Sequence, residues 1–242
     1  MTSKKTLVAL QFDYENKSLE ENFKTLTRLL KNCPEGSIIL APELCLSGYD
    51  YAHLERSSMF SESIIDTLCQ LSYKKTFGLT LIRQKEDKYL NVFMLFSNGK
   101  IIDSRPKARL FPLGDEEKYF YSGTDEDIRI IEINGIKIAT LVCFELRFTE
   151  LWQHILGADI ILVPSFWGKL RKEHLKTLSN ALAIINQAYV IVANSSDDSM
   201  ASSSGIISPF GDVYRDNSSY IIKREVDLNE IKKMRKYINI GL

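Results

Sequence analysis

The succession of patterns along the chain predicts an α/β fold built in layers, with one mixed sheet or two sheets. Short β-branched, apolar runs alternate with segments that place apolar residues at helical spacing. Two Asn-Gly pairs, Asn98-Gly99 and Asn134-Gly135, each join a pair of such runs as a tight hairpin, so some of the pairing is antiparallel. No shift in composition marks a linker, and residues 1–242 are expected to form a single domain.

Thr6 to Phe12 reads as the first strand. Ser18-Leu-Glu-Glu21 then has the spacing of a capping box and opens a helix that turns Phe23, Leu26, Leu29 and Leu30 inward until Cys33-Pro34 stops it. Ser37 to Ala41 is a short buried strand ending at Pro42-Glu43, and a helix is expected around Ile64 to Leu71. Phe77 to Ile82 and Leu90 to Phe96 are strands, and Asn98-Gly99 returns the chain along Lys100 to Ser104. Asn134-Gly135 likewise pairs Ile128 to Ile133 with Ile136 to Val142, a run apolar enough to be buried on both faces. Thr149, with Glu150 behind it, is the expected N-cap of a helix carrying Leu151, Trp152 and Ile155. Beyond it come a buried strand from Asp159 to Pro164, a long helix from His174 to Gln187 and a strand from Tyr189 to Asn194. A polar loop from Ser195 to Ser204, a turn at Pro209-Phe-Gly211, strands to Val226 and a last helix from Leu228 complete the order.

Of the 242 residues 45% are hydrophobic, enough for a sizeable core. Lys plus Arg equals Asp plus Glu at 31 each, so there is no broad basic field for nucleic acid or an acidic membrane. The short basic run Lys232 to Lys236 reads as a solvated helix face. The four cysteines, Cys33, Cys45, Cys69 and Cys143, are widely spaced, and His53, His154 and His174 show no ligand spacing, so neither structural zinc nor another metal is expected. The start runs straight into a strand, and no apolar run approaches the roughly 20 residues that cross a bilayer. A soluble, cytoplasmic protein with reduced thiols is expected.

Three ionisable residues stand at strand ends: Glu43, Lys107 and Cys143. If those strands lie side by side, their ends converge on one crevice, the usual place for chemistry in an open α/β sheet. A carboxylate can take a thiol proton, the thiolate can attack a carbonyl carbon, and an ammonium with a backbone N–H can stabilise the oxyanion. Each residue alone has a plainer reading: a helix-start acid, a loop charge and a small core hydrophobe.

The words around them lift the set above chance. Ala41-Pro-Glu-Leu-Cys-Leu-Ser-Gly-Tyr49 comes first, then Lys107-Ala-Arg-Leu-Phe111 with Glu116 and Gly123 downstream, then Cys143-Phe-Glu-Leu-Arg-Phe-Thr-Glu150. In that order they resemble the motifs of the carbon-nitrogen hydrolase (nitrilase) superfamily. The resemblance extends over nearly the whole chain, through Leu7 to Gln11, Asn22, Tyr89-Leu-Asn91, Gly157-Ala-Asp159 to Trp167, and Ser204 to Gly211. It implies a four-layer αββα sandwich, with Glu43 as general base, Lys107 as oxyanion cation and Cys143 as nucleophile. Glu116, or the adjacent Glu117, would be a second glutamate holding Lys107 or the attacking water, and the Phe144 N–H would complete the oxyanion site. The cation beside Cys143 is expected to lower its thiol pKa from the ordinary value of about 8.5.

The sequence also departs from the family pattern. Phe144-Glu145 replaces Tyr-Asp, Thr149 replaces a proline, and Ala181-Leu-Ala-Ile-Ile-Asn186 lacks the charges usual at positions 182 and 185. A C-terminal extension that crosses to a partner subunit in some members is not expected.

The resemblance implies an amidase of the ω-amidase or N-carbamoyl type, acting on a small amide or ureido compound through a thioester and needing no cofactor. Nitrile hydrolysis by the same nucleophile, transfer to an amine, and a non-catalytic scaffold are the alternatives. Tyr49, Arg147, Trp167 and His174 are expected to line the substrate pocket. Arg147 would pair with a substrate carboxylate or, more plainly, with Glu145 or Glu150. A homodimer is expected, with Leu151, Trp152 and Ile155 either in its interface or packed on the sheet.

Overall fold

The computed structural model describes residues 3–242. Its strands are β1 (Lys4–Leu10), β2 (Ile38–Leu40), β3 (Thr76–Lys85), β4 (Lys88–Ser97), β5 (Lys100–Pro106), β6 (Ile131–Ile133), β7 (Ile136–Thr140), β8 (Ile160–Pro164), β9 (Tyr189–Ala193), β10 (Gly205–Ile207), β11 (Val213–Arg215) and β12 (Ile221–Asp227). The helices are α1 (Leu19–Asn32), α2 (Leu54–Ser63), α3 (Ile65–Leu71), α4 (Glu116–Tyr119), α5 (Thr149–His154), α6 (Lys172–Asn186) and α7 (Asn229–Tyr237).

Two mixed sheets of six strands form the inner layers, in the orders β12-β1-β2-β3-β4-β5 and β11-β10-β9-β8-β7-β6. Alternation along the strands decides which face meets which layer. In β1, Leu7 and Ala9 enter the core between the sheets, while Val8 and Leu10 face the outer helices with Leu26, Leu29 and Leu30 of α1. The middle strands of the second sheet, β8 and β9, are buried on both faces, because Leu175, Leu182 and Ala183 of α6 and Leu151 of α5 close its outer side. The result is the αββα sandwich.

The hairpins form as expected: Asn98 and Gly99, and Asn134 and Gly135, all take positive φ, as a type I′ turn requires. The Ser18–Glu21 capping box is also present. The structure corrects several expectations. Helix α2 had no sequence signal, since Ser57, Ser58 and Ser61 occupy its buried face. Strand β6 begins only at Ile131, because Asp125–Asp127 coils into a 3₁₀ turn. Thr149 is the first residue of α5 rather than its cap, which is Phe148 with no capping side chain. Lys137 in β7 is exposed, so only the second half of that strand is buried on both faces. The basic run belongs to α7, whose Met234 is nevertheless buried and whose Arg235 donates to the Ala158 carbonyl at 2.6 Å.

Candidate active site

Glu43 and Lys107 follow β2 and β5 of the first sheet, which are separated by β3 and β4, whereas Cys143 follows β7 of the second. The expected side-by-side arrangement is therefore corrected. The three meet because two sheets stack face to face and end together.

The loop after β2 is fixed by many hydrogen bonds. The Glu43 N–H donates to the Ser165 carbonyl at 3.2 Å, the Leu44 N–H to Thr80 Oγ1 at 2.6 Å, and Tyr14 OH to the Glu43 carbonyl at 2.7 Å. Asn22 of α1 donates to the Tyr14 and Leu46 carbonyls, both at 2.9 Å. Before Lys107, the Pro106 ring and carbonyl lie where a Cβ on Gly123 would sit, 2.7 and 2.8 Å away, so only glycine lets the two segments approach.

Lys107, Glu43 and Glu116 are buried together. Lys107 Nζ donates to Glu43 Oε1 at 2.8 Å, Glu116 Oε1 at 2.7 Å and, more weakly, Tyr49 OH at 3.3 Å, which occupies its three N–H bonds. Burial opposes the charge on Lys107, but Glu43 and then Glu116 outweigh it and hold the ammonium above the usual lysine range. Burial pushes Glu116 upward, Lys107 pulls it back, and Glu43 adds to the rise, leaving it above the ordinary carboxyl value. Glu117 is exposed, so Glu116 is the acid that reaches Lys107. Asn91 Nδ2 donates to Glu43 Oε1 at 2.9 Å, while Glu43 Oε2 has no hydrogen-bond partner among the described residues.

Cys143 opens a 3₁₀ turn over Cys143–Arg147 with a left-handed φ of 50°. For a non-glycine residue that conformation costs about 1–2 kcal/mol and is kept only where the surroundings enforce it. The expected lowering of its pKa is reversed. Burial raises the thiol well above its usual range and the Glu43 charge adds to this, while Lys107 and the Phe166 backbone N–H only partly oppose them. Both causes favour the neutral form of the thiol beside Glu43.

The Cys143 turn is fastened to the Lys107 strand by a buried ion pair. Arg105 grips Glu145 with Nη1–Oε1 at 3.0 Å and Nη2–Oε2 at 2.7 Å. The same carboxylate accepts the Ala108 and Val142 N–H groups, each at 2.6 Å. Glu145 is thus committed to Arg105, and Glu150 lies 4.0 Å from Arg109, so Arg147 pairs with neither.

A cavity of about 180 Å³ opens beside the thiol, lined by Glu43, Tyr49, Phe111, Cys143, Phe166 and Arg171 among others. A lobe of about 20 Å³ shares Phe111, Cys143, Phe166 and Arg171 and adds Phe144, Arg147 and Trp167. Arg147 stacks its guanidinium 4.6 Å from the Trp167 ring centroid and donates from Nη2 to His174 Nδ1 at 2.9 Å. His174, expected in the wall, stands behind Arg147 instead, because it lies on the exposed first turn of α6. Among the described residues, no group of three or more His, Cys, Asp or Glu side chains is placed to hold a metal ion.

The carbon-nitrogen hydrolase profile matches residues 7–236. The chain belongs to the carbon-nitrogen hydrolase family. It is 30% identical over 249 residues to the 2-oxoglutaramate amidase of Bacillus subtilis (strain 168), covering 97% of this chain and 95% of that one. It is 27% identical over 175 residues to the omega-amidase YafV of Escherichia coli (strain K12), covering 72% and 67%. Saccharomyces cerevisiae Nit3, a member of branch 10 of the nitrilase superfamily, shares the fold with a TM-score of 0.85 at 22% identity, over 99% of this chain and 96% of that chain.

In this carbon-nitrogen hydrolase the structure brings Glu43, Lys107, Glu116, Cys143, Phe144, Tyr49, Arg147 and Trp167 to one cleft. Sequence reasoning missed Phe111, Phe166, Arg171 and Asn91. Asn91 enters the sequence reading only within the resemblance, as Tyr89-Leu-Asn91, although an amide leading an apolar strand run signals a buried polar partner. Arg171 sits in Gly168-Lys-Leu-Arg-Lys172, a basic loop that resembles any solvated helix start.

Proposed function

We propose that this hydrolase is an amidase of the ω-amidase type, releasing ammonia and a carboxylic acid from the terminal amide of a short-chain acid. The observation that carries the reading is that Cys143 and Glu43 line one small cavity, with Arg147 at its lobe and, among the described residues, no acid within ion-pair distance of that arginine. The names of the Bacillus subtilis and Escherichia coli relatives support it.

In this proposal Glu43 takes the Cys143 proton as sulfur attacks the amide carbon, so charge on sulfur appears only as the bond forms. The oxyanion rests on the Phe144 N–H and on Lys107, whose weakest contact, with Tyr49 OH, is the one it can exchange. Glu43 returns the proton to the departing nitrogen, ammonia leaves, and a Cys143 thioester remains. Glu43 then activates water, which displaces sulfur to give the acid and restore the thiol. Glu116 keeps Lys107 aimed throughout, and Arg147 holds the substrate carboxylate.

The proposal includes a cytoplasmic homodimer. Leu151, Trp152 and Ile155 do not supply the interface surface, because all three are buried within the chain itself. Ile184 and Ile185 of α6 are exposed, as is Phe210, and a Cβ on the adjoining Gly211 would lie 3.3 Å from Ile184 Cδ1. These residues form an apolar outer face suited to a second copy. Among the described residues no helix is long and apolar enough to cross a membrane.

The test is ammonia release from a panel of ω-amides, N-carbamoyl amino acids and nitriles. Turnover confined to ω-amides is expected; preferential turnover of N-carbamoyl compounds or nitriles would replace this reading.

A further inference from the structure

Arg171 precedes α6 and lies over the cavity. Its guanidinium carbon is 5.2 Å from the Phe111 ring centroid, and it lines both the main cavity and the lobe that contains Arg147. A Cβ on Gly168 would come within 3.3 Å of Arg171 Nη2, so the glycine leaves room for the guanidinium to lie flat. Among the described residues neither Arg171 nor Arg147 has a carboxylate within the 4.0 Å that defines an ion pair. Two guanidiniums facing one small cleft repel each other, and the charge of Arg171, after burial, makes the charged form of Arg147 less favourable. An arrangement that stores repulsion between two unpaired cations is relieved by an anion placed between them.

Resting on the ω-amidase reading, we infer that Arg171 is a specificity-determining residue, which with Arg147 clamps the single carboxylate of a short dicarboxylic-acid monoamide. One carboxylate offers about four lone-pair sites, enough to accept from both forks. Arg147 is held by Trp167 and His174 and Arg171 by Phe111, so both are pre-set before the anion arrives. Phe111, Phe166 and Trp167 give the lobe aromatic walls, while Arg147 is itself exposed and Arg171 half-buried.

The experiment compares glutaramate with its methyl ester, both as amides releasing ammonia, for wild type, Arg171→Met and Arg171→Lys. The quantity read is the ratio of kcat/KM for acid over ester. Wild type should favour the acid, and Arg171→Met should lower that ratio on the order of ten- to hundredfold, mainly through KM. Arg171→Lys should restore part of it, since lysine keeps the charge but loses the fork. A ratio unchanged in Arg171→Met, with wild type active, overturns the inference and leaves the amidase reading standing. A variant that loses acid and ester turnover in equal proportion assigns Arg171 a structural role and also overturns it. Wild type inert toward both amides overturns the amidase reading itself, and the inference with it.

Discussion

Arg105 and Glu145 make a bidentate ion pair, 3.0 and 2.7 Å across, with both side chains almost wholly excluded from solvent. It joins the strand end that delivers Lys107 to the turn that delivers Cys143, so the two sheets are locked at the cleft by one pair of side chains. Removing one partner leaves the other charged and buried. Glu145→Ala should therefore destabilise the protein by about 3–5 kcal/mol in urea unfolding. Arg105→Met combined with Glu145→Leu should cost clearly less, because no uncompensated charge remains; a double variant as unstable as Glu145→Ala would contradict this.

Lys107→Met should raise the acylation barrier on the order of 2.7–4 kcal/mol if the ammonium carries the oxyanion. A tenfold loss or less would reduce Lys107 to a positioning role. The same variant leaves Glu43 and Glu116 facing each other without a cation. Glu116 already has a raised carboxyl pKa from burial, with Glu43 adding to it. A raised carboxyl contributes stability that is full below its unfolded value of about 4.3 and lost as pH rises through the folded value. Lys107→Met should thus melt progressively lower as pH rises from the acid range to neutrality, and Glu116→Gln in that background should flatten the trend.

Cys143 should show no thiolate absorbance, measured as wild type minus Cys143→Ser, as pH passes the ordinary thiol value of about 8.5. Its folded pKa is raised, chiefly by burial and then by Glu43. The thiol contributes stability in full below about 8.5 that is lost as pH climbs through the folded value, so wild type should lose ground to Cys143→Ser only in alkaline solution. A thiolate titrating near neutrality would return the mechanism to a pre-ionised nucleophile. Cys33 and Cys45 are also pushed up by burial, to about 11 and about 12, and should be silent in the same range.

Sedimentation should give a dimer at micromolar protein, and Ile184→Glu with Ile185→Lys should shift it toward monomer. A wild-type monomer under those conditions would assign the exposed isoleucines another purpose.

The hairpins, the capping box and the buried strands were legible because each is written locally, in Asn-Gly pairs, Ser18 with Glu21, and β-branched runs. The motifs around Glu43, Lys107 and Cys143 were legible for the same reason, since each carries its own turn. What the sequence could not reveal depends on distant partners. The direction of the Cys143 shift is set by burial and by Glu43, 100 positions away, rather than by the nearest cation. Glu145 finds Arg105 across the sheets, which frees Arg147 for the cleft, and no local pattern distinguishes those choices. Helix α2 escaped notice because serines pack where apolar residues mark most helices.

The most direct test of the account is intact mass spectrometry of the protein mixed with an ω-amide and quenched in acid within the first turnover. The account predicts an adduct equal to the substrate less ammonia, located on Cys143 by peptide mapping and absent from Cys143→Ala. Ammonia release that persists in Cys143→Ala, or an acyl group found on any other residue, would contradict it.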